Sequence, residues 1–380
     1  MTSYLTSTGR FLPGEPVSNE EVDDYLGTVG PNSEIVRDQT LANNGIKARY
    51  YAIDKQQRTV VSDTAMAVGA IREALGRDGL DEADIELLAC ASTVPDLLAP
   101  GFASMVHGEL DCRPIEIVSA GGLCNAGMTA LKTAHLQIAA GEKRNAVVAA
   151  SEFSSRAFKS SRYATVTPET ADGAMALDVA FLRYMLSDGA GAVVLRDRPA
   201  ERGISLRIDW MSLTSYANTA PTCMYIGSPD GGTRNTWLDH PDDVRASAAG
   251  ALVMRQNLAL LPHLVKCGVD EYERLMAEGR FDPDRITWFP AHYSSEKMKE
   301  MVVKQIHRRD VRGPRPEAWF SNLQQVGNIG CAAIFVILDE LMNSGLPSVG
   351  DTMLCMVPES GRFSIAFMHL TVVGPDGAAS

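Results

Sequence analysis

The sequence has no hydrophobic run long enough to cross a membrane, and it has fewer basic than acidic side chains. A spanning helix needs roughly 18 to 20 apolar residues, and no stretch approaches that length. The formal net charge of -12 disfavours an extended basic surface for nucleic acid or anionic lipid. We therefore expect no nucleic-acid partner and no membrane contact.

The seven cysteines are an odd number and include no C-x-x-C pair. Several of them, such as Cys90, Cys331 and Cys355, lie in apolar stretches, which is typical of reduced, buried thiols. This pattern disfavours a disulfide framework and a zinc site, so we expect a cytoplasmic protein without a bound metal. Gly189 and Gly191 form a short G-x-G, but the third glycine of a dinucleotide loop is missing, and we expect no cofactor.

The composition is that of a globular protein, and helical and strand patterns alternate along the chain. Hydrophobic residues make up 45% of the chain and charged residues 22%. Residues 60–75, 128–140 and 252–265 have the apolar spacing of helices, whereas residues 85–91 and 146–150 have the pattern of buried strands. The alternation predicts an α/β fold.

One segment, residues 217–243, interrupts this alternation. It contains Pro221, Pro229 and Pro241, together with a pair of adjacent glycines. Proline and glycine at this density favour irregular structure over helix or strand. We expect a long insertion that lies as a lid-like loop over the functional site.

Two stretches of the chain, residues 119–141 and 322–345, are similar in order. Each has a turn of small residues, then an apolar helix, a closing glycine and a strand pattern. Aligning the closing glycines also aligns Cys124 with Asn328. This similarity favours a duplicated α/β unit whose helix N-termini face a common centre. The expected halves are residues 1–200 and residues 201–380.

Cys124 is the best candidate for a nucleophile. It follows a strand pattern and the glycines Gly121 and Gly122, and it comes directly before a helix. A thiol at a helix N-terminus feels the positive end of the helix dipole, which is expected to lower its pKa and make it reactive. The other six cysteines lack this context and are expected to be inert core residues.

Two further side chains have the setting of functional groups. His292 follows the apolar strand pattern of residues 286–290, and α/β enzymes place catalytic groups at strand ends. Asn328 lies in the turn V-G-N-I-G, where it could instead cap a helix. A structural role stays open for His292 too, since a single histidine is more often structural than catalytic.

Together these residues resemble the ketoacyl synthase III family. The Cys in G-G-L-C-N-A-G, the His in P-A-H and the Asn in G-N-I-G-C-A follow one another in that family's order. The segments ASTVPDLLAP, NGIKARYYAI, SDGAGAVVL and SGRFSIA extend the resemblance over most of the chain. The resemblance implies a thiolase-like fold of two duplicated α/β halves that form a five-layered αβαβα core.

The resemblance also implies a function, which is a Claisen-type condensation of acyl thioesters in polyketide or lipid-type secondary metabolism. Cys124 would carry the acyl group, with the oxyanion held by the backbone N–H groups of Cys124 and Gly361. His292 and Asn328 would hold the carbonyl of the second thioester. The N-terminal stretches LPGEPVSNEEV and RYYAID are similar to ketosynthases that form cyclohexanedione or dialkylresorcinol skeletons, so cyclisation could follow.

The chain departs from the family pattern in two places. The family's glycine-rich turn keeps Gly361 but has Ser360 and Arg362 in place of its other two glycines. The tryptophan and arginine that clamp the adenine of coenzyme A are replaced by Gln39 and Asn43. These replacements favour an acyl carrier protein over coenzyme A as the source of the acyl thioester.

A basic segment after His292 gives that partner a candidate docking surface. Carrier proteins are acidic, and lysines seven residues apart share one face of a helix. The alternative is that these side chains only solvate an exposed helix. The candidate docking residues are Lys297, Lys304 and Arg308.

Other functions stay open at this point. An acyltransferase of the same fold would move the acyl group from Cys124 to a hydroxyl or amine, although such enzymes often replace the asparagine that this chain keeps. An inactive partner subunit would lack the cysteine. Residues 94–105 are similar to a segment that reaches the neighbouring subunit's pocket in relatives, so we expect a homodimer.

Overall fold

Apolar strands with mostly buried side chains build the centre of the molecule. The computed structural model describes residues 2–167 and 173–379. In β4 and β7 nearly every side chain is buried, because helices cover both faces of the sheet there. The strands are β1 (Tyr4–Phe11), β2 (Val17–Ser18), β3 (Ala48–Arg49), β4 (Leu87–Ala91), β5 (Glu116–Ala120), β6 (Asn145–Glu152), β7 (Gly189–Arg196), β8 (Ser205–Ser215), β9 (Met224–Tyr225), β10 (Arg255–Gln256), β11 (Phe289–Pro290), β12 (Trp319–Phe320), β13 (Thr352–Glu359) and β14 (Ser364–Val373).

Eight of these strands form one mixed sheet in the order β13-β14-β8-β1-β7-β6-β4-β5. β4 pairs in parallel with β5 and β6, whereas β1, β7, β8, β13 and β14 pair antiparallel with their neighbours. β1 joins the two parts of the sheet, since Leu5 pairs with Leu195 of β7 and with Leu206 of β8.

Some of the helices begin or end at residues with clear capping roles. Ser62 accepts the backbone N–H of Ala65 at the start of α3, and Gly79 ends the helix in the left-handed conformation. Gly141 ends α5 in the same way. The helices are α1 (Val22–Leu26), α2 (Ser33–Asn44), α3 (Asp63–Asp78), α4 (Phe102–Glu109), α5 (Ala126–Ala140), α6 (Ser155–Phe158), α7 (Leu177–Ala180), α8 (Asp243–Ala248), α9 (Leu261–Ala277), α10 (Glu296–Arg308), α11 (Leu323–Val326) and α12 (Ala333–Asn343).

Helices and strands alternate in five layers, as expected for the αβαβα core. α3 and α4 cover one face of β1, β7, β6 and β4, and α5 and α12 cover the other face. α5 also contacts β8, while α9 covers the opposite side of β13 and β14 and is itself covered by α10. Three hydrophobic cores fill the spaces between these layers.

Glycine allows the layers to approach closely. A Cβ at Gly9 of β1 would lie 2.4 Å from the carbonyl oxygen of Ala70 in α3. A Cβ at Gly191 of β7 would lie 2.6 Å from Cβ of Phe335 in α12. Both distances are shorter than atoms tolerate, so a larger residue would push a helix away from the sheet.

The structure confirms most of the predicted elements. α3, β4, α5 and β6 coincide with the patterns at residues 60–75, 85–91, 128–140 and 146–150, within a few residues at their ends. The helix predicted at residues 252–265 is wrong, because residues 255–256 form β10 and the helix begins only at Leu261. The division into halves of residues 1–200 and 201–380 stays a prediction, although α5 and α12 do share the middle layer.

No helix within residues 2–167 and 173–379 is both long enough and apolar enough to cross a membrane.

Candidate active site

The candidate nucleophile lies in a tight turn between β5 and α5. Gly122 has φ +144, a conformation that residues with side chains rarely adopt. The N–H of Ala126 donates to the carbonyl of Leu123 at 3.0 Å, so the turn leads directly into the helix. This turn places Cys124 at the N-terminal end of α5 with its side chain partly exposed.

A second turn approaches the first from the start of α12. A Cβ at Gly127 of α5 would lie 2.5 Å from the carbonyl oxygen of Cys331 and 2.8 Å from the ring of Phe335. The bare backbone of Gly127 therefore lets the two helix starts come together. Their approach brings Cys124 and Asn328 to the same cavity.

The cavity is lined by apolar side chains together with several polar ones. Met224, from the segment at residues 217–243, is one of the residues that line the cavity, and a lid-like position for the whole segment stays a prediction. The other apolar side chains that line it are Val94, Leu123, Phe153, Ala157, Leu182, Met185, Leu186 and Met254. The polar ones besides Cys124 and Asn328 are Thr93, Glu152, Ser154, Gln256, Ser294 and Ser360.

Asn328 is held by its own turn. Its Oδ1 accepts the N–H of Gly330 at 3.0 Å, and its backbone carbonyl accepts the N–H of Ser187 at 2.8 Å. Gly327 has φ +72, and a Cβ there would lie 2.9 Å from Cβ of Ser187. Oδ1 already accepts a hydrogen bond from its own turn, so the Nδ2 amide is the part of Asn328 that can donate to a ligand in the cavity.

His292 lies beside the cavity and is not among the residues that line it. It follows β11, its backbone N–H donates to the carbonyl of Met356 at 3.0 Å, and it is 3% exposed. Ser294, two residues further on, does line the cavity. Burial lowers the pKa of His292 to about 4, so the imidazole is neutral near pH 7.

Gly361 packs against the nucleophile turn. A Cβ at Gly361 would lie 3.1 Å from Cδ1 of Leu123, and the carbonyl of Gly361 accepts the N–H of Cys223 at 2.7 Å. Arg362 turns its Nε onto the carbonyl of Ala220 at 2.9 Å. Gly361, the one glycine of the family turn that this chain keeps, thus packs against Leu123, which directly precedes Cys124.

A carboxylate that sequence reasoning missed binds this same turn. Oε2 of Glu359 accepts the N–H of Leu123 at 3.1 Å and that of Asn125 at 2.9 Å. Burial, Glu359 and Glu152 together raise the pKa of the Cys124 thiol. The expectation of a lowered pKa is therefore wrong for the resting protein, in which Cys124 is a thiol.

Glu152 was also missed. It ends β6 and lines the cavity, with Oε1 accepting Thr93 Oγ1 at 2.6 Å and the N–H of Cys331 at 3.0 Å. Burial raises the pKa of its carboxyl group. Ser151 and Glu152, the two polar residues that follow the apolar run of residues 146–150, were the available signal, because strand ends carry functional groups in α/β proteins.

The basic helix α10 is exposed along one face. Lys297, Lys304 and Arg308 are exposed, and Lys297 lies 3.4 Å from Glu300. Lys304 and Arg308 form no ion pair with any residue in the described ranges. α10 also contacts α2, which carries the residues in place of the adenine clamp. Those residues, Gln39 and Asn43, are likewise exposed.

Across the described ranges, no group of three or more His, Cys, Asp or Glu side chains could hold a metal ion.

Comparison with known proteins places the chain in context. No family model matches it. The beta-ketoacyl-[acyl-carrier-protein] synthase III of Rhodospirillum rubrum is 26% identical over 359 residues, which cover 93% of this chain and 94% of that protein. The 3-oxoacyl-(acyl carrier protein) synthase III of Xanthomonas oryzae superposes with a TM-score of 0.75 at 18% identity, covering 98% of this chain and 99% of that one. A tetronic acid condensing enzyme superposes with a TM-score of 0.75 at 19% identity, covering 97% and 99%.

These likenesses extend along nearly the whole chain in both sequence and structure. The chain is therefore similar to ketoacyl synthase III proteins over nearly its whole length, and it has the thiolase fold.

Proposed function

We propose that this ketoacyl synthase III-like protein is a ketosynthase that joins two acyl thioesters by Claisen-type condensation, with the first acyl group carried on Cys124. The observation that carries the proposal is the opening of Cys124 and Asn328 into one cavity with apolar sides. Such a cavity suits an acyl chain, and its polar lining residues can bind the thioester.

In the first half-reaction, the sulfur of Cys124 attacks the carbonyl carbon of an acyl thioester. The resting thiol must lose its proton, and the neutral imidazole of His292 can relay that proton to the departing thiolate. The backbone N–H groups of Cys124 and Gly361 would stabilise the oxyanion. The acyl group then remains on the sulfur.

In the second half-reaction, another thioester forms an enolate that attacks the acyl-cysteine. The Nδ2 amide of Asn328 and the neutral imidazole of His292 can both donate hydrogen bonds to the carbonyl oxygen of this thioester. A neutral imidazole suits this role, since it donates without a permanent charge. The three side chains would thus act as a Cys-His-Asn triad.

The proposed partners are an acyl carrier protein and a second copy of the chain. The exposed face of α10, with Lys297, Lys304 and Arg308, supports docking of an acidic carrier protein, and Gln39 and Asn43 weaken the case for coenzyme A. The relatives' name includes the carrier protein. Leu98, in the segment expected to reach a neighbour, is 84% exposed and supports a dimer.

Intact-protein mass spectrometry after incubation with acyl thioesters tests the function. We expect Cys124→Ala to lose acyl loading, whereas Asn328→Ala and His292→Ala keep loading and lose condensation by at least about 100-fold. Cys112→Ala, which alters another partly exposed cysteine, is the matched control and should load normally.

Loading of Cys124→Ala, or normal condensation by Asn328→Ala, would contradict the proposed roles. Transfer of the loaded acyl group to a hydroxyl or amine without a new carbon-carbon bond would favour the acyltransferase instead.

A further inference from the structure

Glu152 has features that the roles given to Cys124, His292 and Asn328 do not explain. Among the described residues that line the cavity, Cys124 and Glu152 are the titratable side chains. Glu152 is 3% exposed, and no lysine or arginine in the described ranges forms an ion pair with it. A buried carboxyl without a cation is costly for stability, so its presence needs a reason.

The hydrogen bonds of Glu152 engage one carboxyl oxygen. Oε1 accepts both Thr93 Oγ1 at 2.6 Å and the N–H of Cys331 at 3.0 Å. Neither of these two hydrogen bonds uses Oε2. A purely structural acceptor would need only Oε1, and an amide side chain would supply it equally well.

The local backbone keeps space for this carboxyl group. Gly330 has φ +47, and a Cβ there would lie 2.6 Å from Oε1 of Glu152. Gly330 follows Asn328 by two residues and donates its N–H to Asn328 Oδ1. The carboxyl group therefore lies against the turn that holds the proposed binding group for the second thioester.

We propose that Glu152 is a catalytic acid–base residue of the condensation, and that the second substrate is a simple acyl thioester activated by loss of an α-proton. This inference rests on the proposed ketosynthase function. Oε2 of the carboxylate takes the α-proton, and the C–H electron pair becomes the enolate. The enolate carbon bonds to the acyl carbon on Cys124, the carbon-sulfur bond breaks, and the sulfur takes the proton back from Glu152.

This sequence of steps balances without a further reactant. It starts and ends with a Glu152 carboxylate and a Cys124 thiol, and it yields one β-ketoacyl thioester from two acyl groups. Burial supports the role, because a raised pKa makes the carboxylate a stronger base. His292 is a weaker candidate, since its pKa is lowered to about 4.

The substrate class follows from the need for a base. A malonyl-type thioester forms its enolate by losing carbon dioxide, which requires no proton acceptor. A simple acyl thioester keeps its α-proton until a base removes it. A base next to Asn328 therefore favours a simple acyl thioester over a malonyl-type thioester as the second substrate.

Glu152→Gln gives a sharp test, because glutamine keeps the volume and can keep the Oε1 acceptor. In a Cys124→Ala background, which cannot load, α-proton exchange of octanoyl-coenzyme A or an octanoyl carrier protein in D₂O reports the proton transfer alone. We expect Glu152→Gln to slow this exchange by at least about 100-fold. Glu271→Gln, which neutralises a buried carboxylate that does not line the cavity, is the matched control and should keep exchange within about threefold.

With Cys124 present, the Glu152→Gln enzyme should still load octanoyl groups and should lose octanoyl–octanoyl condensation. Equal loss of exchange in Glu152→Gln and Glu271→Gln, or full condensation by Glu152→Gln, overturns the inference. So does a wild-type enzyme that condenses only malonyl thioesters. Failure of wild-type protein to load Cys124 would instead overturn the proposed function itself.

Discussion

Asp63 allows the cost of a buried carboxyl group to be measured directly. It is the first residue of α3 and is fully buried. Its Oδ1 accepts Ser151 Oγ at 2.6 Å, and its Oδ2 accepts Ser92 Oγ at 2.7 Å. Burial raises the pKa of Asp63 from 3.8 to about 7. We predict that Asp63→Asn makes the protein more stable than wild type, increasingly so as the pH rises towards 7.

The direction of the pH dependence follows from which state, folded or unfolded, binds the proton of Asp63. Between pH 4 and 7 the unfolded chain has released the proton of Asp63, while the folded protein still binds it. The free energy of unfolding therefore falls by about 1.4 kcal/mol per pH unit in this window, and by about 4 kcal/mol in total. Above pH 7 both states are ionised, so the dependence levels off. Asparagine cannot ionise, so the Asp63→Asn variant does not lose stability in this pH window.

Asp188→Asn is the matched comparison, because burial also raises the pKa of Asp188 to about 7. Its oxygens accept the fixed backbone N–H groups of Ser155 at 2.8 Å and Ala52 at 2.7 Å. The hydroxyls around Asp63 can rotate to accept from an amide, whereas these N–H groups cannot. We expect the two variants to show parallel pH profiles, with Asp188→Asn about 1 to 3 kcal/mol less stable.

Equilibrium urea unfolding at pH 5, 6, 7 and 8 provides the assay, with protein concentration held constant because assembly would add to stability. The stability of Asp63→Asn relative to wild type should rise by about 3 kcal/mol between pH 5 and 8. A change below about 1 kcal/mol over that range would refute the reasoning, since the folded protein would then not retain the proton.

Two further predictions concern partners. The double variant Lys297→Glu/Lys304→Glu should load acyl groups more slowly from an acyl carrier protein at low salt, because steering of an acidic partner depends on unscreened charge. Its loading from coenzyme A thioesters should be unchanged. Unchanged loading from the carrier protein, or a wild-type preference for coenzyme A thioesters, would count against docking on α10. Sedimentation should give a dimer at micromolar concentration that Leu98→Asp weakens, whereas a fully active wild-type monomer would exclude the expected assembly.

Much of the fold could be predicted because its signals are local. Periodicity identified α3, β4, α5 and β6, and the resemblance supplied the order of the layers. The error at residues 252–265 has a physical cause. Val253 and Met254 are buried in a hydrophobic core ahead of the helix, so their apolar spacing did not indicate a helical face. Asn257 and Pro262 were the available start signals, since asparagine caps helices and proline favours their first turn.

The site was predictable where a turn has its own sequence signature. Glycines mark the turns at Cys124 and Asn328, and these turns were found. Glu152 has only the weaker signal of a strand end, and Glu359 has no comparable signature, because an acidic residue in a sequence is usually a solvated surface group. Their contacts come from distant parts of the chain, and Glu359 is 236 positions from Leu123.

The state of Cys124 illustrates what sequence alone could not decide. A helix N-terminus favours a thiolate, but the effect of the dipole is only about 0.3 to 1 kcal/mol, and up to about 2 kcal/mol in partly buried sites. Glu359 places its carboxylate on the N–H groups of Leu123 and Asn125, directly before the first turn of α5. Burial adds a penalty on any charged sulfur, so the combined effect is a raised pKa. The sequence motif thus identifies Cys124 as the candidate nucleophile, whereas the raised pKa of its thiol comes from burial first and then from Glu359, a carboxylate distant in the sequence.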